Sequence, residues 1–325
     1  MLRNVIMGLR PVTWDNANRQ NEFVQSVMSA LGALGEEIEY PLLCAVSGCA
    51  FRTSFSMPSS QPWNHGNYHV VHTPPIVEHT FRMFGYRVTH HIRGDFELDR
   101  RRIVDSIDTG VPVITLEGVI NCADACVIAG YDDGGNVLLG FSPFSYVGDD
   151  HSEANDITGA FRKSGWHGGF FAGGSQGRIL IIEGKAERPD DATVLAETLR
   201  LAARLIGEPC LVPGQHNGLA AHRAFAHALR TYAWDDNFEP YLNVMCNFKQ
   251  YLDRRYAAGY LRMAGRRDLA DLYTRIAAIA DEMGHMIPQD FSTADLFSSK
   301  RKLEPYCRAI EQVAELEERA LALMA

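Results

Sequence analysis

Apolar positions along the first 185 residues switch period several times. Phe23, Val24, Val27, Met28, Leu31 and Leu34 recur every three or four residues, which predicts a helix over 21–34. Asn18 and Asn21 are its candidate caps, and Gly35 is its stop. The same reading predicts helices over 76–84, ended by Gly85, and over 98–107, ended by Gly110. Short apolar runs predict strands over 86–91, 111–116, 123–129, 137–141 and 178–182, with Pro112 tolerated near the start of its strand. Asp132-Asp133-Gly134-Gly135 is a hairpin signal between two of these strands. Residues 145–177 are polar and glycine-rich and read as loop with one short helix.

Past a charged linker at 187–191 the strand signal disappears. Helical spacing recurs over 191–206, 217–231, 239–264, 266–283 and 303–323, with breaks at Pro209, Pro213, Gly265 and Pro288. That pattern suits an antiparallel bundle. The expected fold class is therefore α+β, with a mixed domain over 1–186 and an all-α bundle over 187–325.

Composition adds limits. With 325 residues, 46% of them hydrophobic and 22% charged, the chain can bury two cores and is neither disordered nor fibrous. A net charge of -9, with arginines scattered among acids, argues against nucleic acid or an anionic membrane as partner. No apolar run approaches the roughly 20 residues that span a bilayer, and Val5-Ile6-Met7 is too short for a signal-peptide core. The expected location is the cytoplasm.

Metal and cofactor chemistry find little support in the spacing. Cys44 and Cys49 are five apart and Cys122 and Cys126 four apart, which is not the knuckle of a structural zinc site, so the seven cysteines read as small buried hydrophobes. His65, His69 and His72 lie beside Trp63 and Pro74-Pro75 in a stretch without helical period, and read as a loop rather than a metal site. Gly173-Gly174-Ser175-Gln176-Gly177 lacks a following lysine and precedes a strand, so it reads as a turn and not a phosphate cradle. His90-His91, and His222 and His227 on a later helix, read as ordinary. No metal and no cofactor is expected.

Three segments taken in order carry a family resemblance. They are the helix at 21–34 followed by Ser47-Gly48-Cys49-Ala50-Phe51, then Gly110-Val111-Pro112-Val113-Ile114, then Asp124-Ala125-Cys126-Val127-Ile128-Ala129-Gly130-Tyr131-Asp132-Asp133 with 137–143 after it. The order resembles the papain-like fold of bacteriocin-processing-type peptidases. It is similar, more closely, to the N-terminal domain of butirosin-biosynthesis-type acyltransferases. Gly218-Leu219-Ala220-Ala221-His222 and Arg254-Arg255-Tyr256-Ala257-Ala258-Gly259-Tyr260-Leu261 resemble the helical domain that accompanies those acyltransferases.

The resemblance implies a cysteine opening the first helix, a histidine six residues before Gly130, and a carboxylate before the proline of the next strand. Those positions hold Asn21, Asp124 and Ser142, which precedes Pro143. No cysteine occurs before Cys44 and no histidine between His91 and His151, so sliding the alignment does not restore the set. An amide is no nucleophile, and an ionised carboxylate is a far weaker base than imidazole. The expectation is a papain-like protein without thiol catalysis that keeps a cleft for a peptide, an acyl carrier protein or a small molecule, in secondary metabolism.

Candidate ligand contacts are Cys49, Cys122, Cys126, Tyr131 and Trp234. Asp124 takes a ligand-facing role or, more plainly, bonds backbone N–H groups or an arginine. Asn21 reads first as a helix cap. The alternative function is an acyltransferase or amide hydrolase with a relocated nucleophile at Cys49, Cys122 or Cys126. Cys122 and Cys126 flank Asp124 at period two, and a carboxylate there raises a thiol's pKa. A third reading is a structural homodimer through the amphipathic stretch 303–324, with Ile310, Val313, Leu316 and Leu321.

Overall fold

A computed structural model describes residues 3–13, 21–56, 69–116, 119, 125–143, 160–168, 177–231, 248–287 and 300–324. The chain forms two compact units and passes between them three times. One unit comprises Met1–Leu43 and Val77–Pro189, and the other Cys44–Ile76 and Asp190–Ala325.

The first unit is built on an antiparallel sheet. Its strands are β1 (Asn4–Val5), β3 (Tyr86–Ile92), β4 (Val113–Leu116), β5 (Ala125–Asp132), β6 (Val137–Phe141), β7 (Ala160–Ser164) and β8 (Arg178–Lys185). The order is β3-β8-β4-β5-β6-β7, with β1 paired to β5 beyond the end of β4. Registers such as Val113↔Ile128 and Val113↔Ile181 fix which side chains share a face. Helix α4 (Phe96–Asp108) sends Ile103 and Ile107 into a core with Val113, Cys126, Ile128, Leu138, Phe161, Trp166 and Ile179. Alternation leaves Ile114, Leu116 and Val127 for the opposite face, and α1 (Glu22–Ala33) packs against β5 and β4.

The hairpin between β5 and β6 turns through Asp133, Gly134 and Gly135 at φ of 47°, 62° and 95°. Three left-handed residues in succession need side chains that tolerate that region, which is why the turn reads Asp-Gly-Gly. Several elements depart from the sequence expectation, helix α2 and strand β7 the longest among them. Helix α2 (Tyr40–Val46) was not signalled, because an apolar run of seven residues has no readable period. Strand β7 lies inside the polar stretch expected to be loop, where alternate burial of Ala160-Phe161 and Lys163 escapes a search tuned to longer runs.

The second unit is mainly helical: α3 (Pro74–Met83) begins in it, and α5 (Asp191–Gly207), α6 (Gly218–Thr231), α7 (Arg254–Met263), α8 (Arg267–Met286) and α9 (Lys300–Met324) form its body. Residues 248–252 are also helical, and the helix expected over 239–264 is interrupted at Asp253; residues 239–247 lie outside the described ones. A two-residue strand, β9 (His216–Asn217), pairs antiparallel with β2 (Ser54–Phe55). The stripe of α9 holding Ile310, Val313 and Leu316 is buried, and α9 packs on α6, α8 and α5. The face expected to make a homodimer is thus covered within its own chain.

The contiguous division at 186/187 also needs revision, since residues 44–76 belong to the helical unit. The cause is a set of ties that sequence proximity cannot show. Gln250 bonds both backbone groups of Ser54, accepting from its N–H at 2.9 Å and donating to its carbonyl at 3.1 Å. Arg52 pairs with Asp253 at 3.2 Å. Among the described residues, no helix is long and apolar enough to cross a membrane.

Candidate functional site

The positions singled out by the resemblance fall in the first unit. Asn21 sits in an extended conformation immediately before α1, and its Oδ1 accepts from the Val24 backbone N–H at 3.0 Å. Its own N–H donates to the Tyr40 hydroxyl at 3.2 Å, and the residue is buried. It is a helix cap. Residues 10–13 are strapped along α1: Gln25 exchanges two hydrogen bonds with the Thr13 backbone, at 3.0 and 2.6 Å, and Ser29 donates to the Arg10 carbonyl. Ser142 is buried one residue past β6, at the end of the hairpin where β5 begins. Asp124, Cys122 and Trp234 lie outside the described residues, as does His65.

The other candidates occupy closed positions. The Cys126 thiol is buried 2.9 Å from the Thr115 hydroxyl. Burial pushes its pKa up to about 11, against a smaller downward pull from that hydrogen bond and from Arg93. Alkylation by iodoacetamide near pH 8, followed by peptide mapping, should label the exposed Cys210 first and Cys126 at least about a hundredfold more slowly. Tyr131 is fully buried in the α4 core, and its hydroxyl donates to Asp108 at 2.8 Å. Asn4 bonds the same carboxylate oxygen, so Tyr131 ties β5 to α4 and β1 rather than facing a cleft. Cys49 is buried in the second unit, where its carbonyl accepts from Arg52 at 2.9 Å. Cys49 and Asn21 therefore belong to different units.

The first unit also holds an apolar groove of about 360 Å³. The N-terminal segment (Met7, Leu9 and Pro11) forms one wall and the sheet (Leu139, Phe141 and Ala160) the other, with Arg3 contributing a cation. Phe141 directly precedes Ser142. Such a lining suits an acyl or other apolar group better than a polar one.

Among the described residues, the densest polar constellation lies in the second unit and includes His222, which the sequence alone reads as ordinary. Glu317 of α9 is completely buried and receives Arg254 Nε at 2.8 Å on one oxygen and His222 Nε2 at 2.8 Å on the other. His222 Nδ1 lies 2.9 Å from the Tyr251 hydroxyl. The Arg254 guanidinium also donates to the carbonyls of Arg52, at 2.7 Å, and Gln250, at 3.1 Å, and to the Thr53 hydroxyl. Burial alone pushes the Glu317 carboxyl up, but the charge of Arg254 and the hydrogen bonds from His222 and Arg254 outweigh it and hold it below its ordinary value. Burial keeps the Tyr251 phenol protonated.

Two cations, Arg52 and Arg254, thus meet two anions, Asp253 and Glu317. A signal was present: His222 falls on the apolar stripe of α6 with Phe225, Ala226 and Leu229, where a polar residue implies a partner. His222 and Arg254 also belong to the two stretches that carry the second-half resemblance. The constellation is closed to solvent, and its chemistry is that of a structural network.

No protein-family model and no curated protein matches this sequence. What the chain does rests on its own residues.

Proposed function

We propose that this protein is a papain-like domain without thiol catalysis, joined to a helical unit, which binds an acyl-bearing ligand in the cleft at the head of α1. The ligand is a peptide, an acyl carrier or a small molecule of secondary metabolism, met in the cytoplasm. The observation that carries the reading is Asn21. The place where this architecture would present a nucleophile holds an amide whose oxygen caps the helix. The layout also fits: a helix opening at that position packs on the strand that follows Asp124, and the neighbouring strand runs into Ser142-Pro143. The burial of Cys49 and Cys126 disfavours a relocated nucleophile at either. The apolar groove beside Phe141 gives an acyl chain a place to lie.

S-octanoyl-N-acetylcysteamine, an activated acyl thioester, separates the possibilities. The native protein should broaden its NMR lines by reversible binding and show no acyl adduct by intact mass. An adduct on a native cysteine would establish the acyltransferase alternative, and absence of any binding would remove the ligand reading. Asn21→Cys with Asp124→His should then gain an adduct at the introduced thiol. That thiol should titrate below the roughly 8.5 of a free cysteine, and further below it than in Asn21→Cys alone. Identical titrations in the two variants would mean that the positions do not face each other.

A further inference from the structure

One wall of the apolar groove in the first unit is a single segment of chain fixed at both ends. The Ile6 N–H donates to the Ala129 carbonyl at 2.8 Å, and the Ser29 hydroxyl donates to the Arg10 carbonyl at 2.6 Å. Between these ties run Met7, Gly8 and Leu9, with Gly8 turning the chain at φ 85°. Met7 lines the groove and is 82% exposed, so a ligand lying there would take apolar surface out of water. One charge enters this lining, that of Arg3, and none of the other lining residues is charged. Alternation puts Arg3 on the same face as Val5, which pairs with Gly130, and Gly130 pairs in turn with Leu139 of the opposite wall. Arg3 is exposed, and among the described residues its guanidinium makes no hydrogen bond or ion pair. Its charge is felt by Asp132, but that carboxylate already accepts from the Asp133 N–H at 2.8 Å and pairs with Arg162 at 3.4 Å.

We propose that this groove binds a straight-chain carboxylate of medium length, its chain between Met7 and Phe141 and its carboxylate on Arg3. The inference rests on the reading above, in which the groove receives an acyl chain, and adds what stands at the end of that chain. Charge complementarity chooses the occupant: apolar walls with one cation and no acid suit an amphiphilic anion, and an amine of equal length meets the same walls with the wrong charge. Size narrows it further, since about 360 Å³ lies at the small end of ligand pockets and suits a medium chain better than a long lipid. Each methylene buried should tighten binding about fourfold until the groove is full. The head group contributes less, because Arg3 is exposed, and an exposed ion pair is worth about two- to fivefold in affinity and weakens with salt.

Ligand-observed NMR titrations of the full chain at low salt and neutral pH test this, with hexanoate, octanoate, decanoate and octylammonium as probes. The native protein should bind the carboxylates with affinity rising along the series, and octanoate more tightly than octylammonium. Arg3→Glu, with circular dichroism confirming that it folds, should reverse that order and favour octylammonium. Place is read independently by mild peroxide oxidation and peptide mapping: octanoate should slow formation of the Met7 sulfoxide in the native protein. An unchanged order of the two probes in folded Arg3→Glu, or Met7 oxidation indifferent to octanoate, overturns the proposal. If octanoate shows no preference over octylammonium while S-octanoyl-N-acetylcysteamine still binds, the carboxylate is overturned and the acyl reading stands. If neither octanoate nor the thioester binds, both fall.

Discussion

Glu317→Ala is expected to cost about 3–5 kcal/mol, a large share of the stability of a unit this size. The loss comes less from the contacts removed than from what they leave behind: the Arg254 guanidinium and the His222 Nε2–H, both fully buried, would face a void with no counter-charge. Urea unfolding followed by far-UV circular dichroism should show a midpoint shift of that size at neutral pH. Removing both charges together, with Arg254→Met and Glu317→Leu, should restore part of the loss. Restoration stays partial, because Arg254 also serves the carbonyls of Arg52 and Gln250.

The same residue gives the unit an acid limit. Glu317 has an ordinary pKa of 4.5 and a lower one in the fold. Its contribution is therefore fully present above 4.5, and is lost as pH falls through the depressed folded value, where the unfolded chain binds the extra proton. Native protein should lose stability steeply below pH 4.5, and the double variant less steeply.

Gly218→Ala is expected to be comparably damaging for a steric reason. Gly218 opens α6 at φ 54°, and a Cβ there would lie 2.6 Å from the Leu205 carbonyl oxygen and closer still to that of Ile206. The left-handed conformation alone costs about 1–2 kcal/mol for an alanine. The collision adds more, because its partners are backbone atoms of α5 that cannot rotate away. Relief requires moving the start of α6, which carries the Gly218 N–H bond to the Thr53 carbonyl. A total above about 3 kcal/mol is expected by urea denaturation. Gly214→Ala makes the control: its φ is 80° but nothing lies within 4 Å of the added carbon, so only the conformational cost should appear.

Much of the architecture was legible because it is local. Helices α1, α3 and α4 follow from their apolar period and from the glycines that stop them; Gly35, Gly85 and Gly110 all take the left-handed conformation their positions demand. Asn21 was readable as a cap for the same reason, since the bond it makes spans three residues. Cys44, Cys49, Cys126 and Cys307 were readable as packing, whereas Cys210, expected to be buried like them, is exposed. The polar heart of the second unit was not legible, because its partners are remote: Arg52 and Asp253 are 201 positions apart, and His222 and Glu317 95 apart. Periodicity marked His222 and Arg254 as lying on helices but could not say what they face. The strands β2 and β9 are two residues each and exist only because they meet each other.

The threading of residues 44–55 into the helical unit has a consequence for how the protein is made. These residues leave the ribosome early, with Cys44, Val46, Phe51 and Phe55 destined to be completely buried. The partner that neutralises Arg52 is synthesised 201 residues later, a delay of about 10–40 s at ordinary elongation rates. Through that interval an apolar stretch around an arginine whose carboxylate partner has not yet been made waits in the open, while the sheet of the first unit can already assemble. Nascent chains stalled before Asp253 should therefore hold a chaperone that chains completed past Glu317 release.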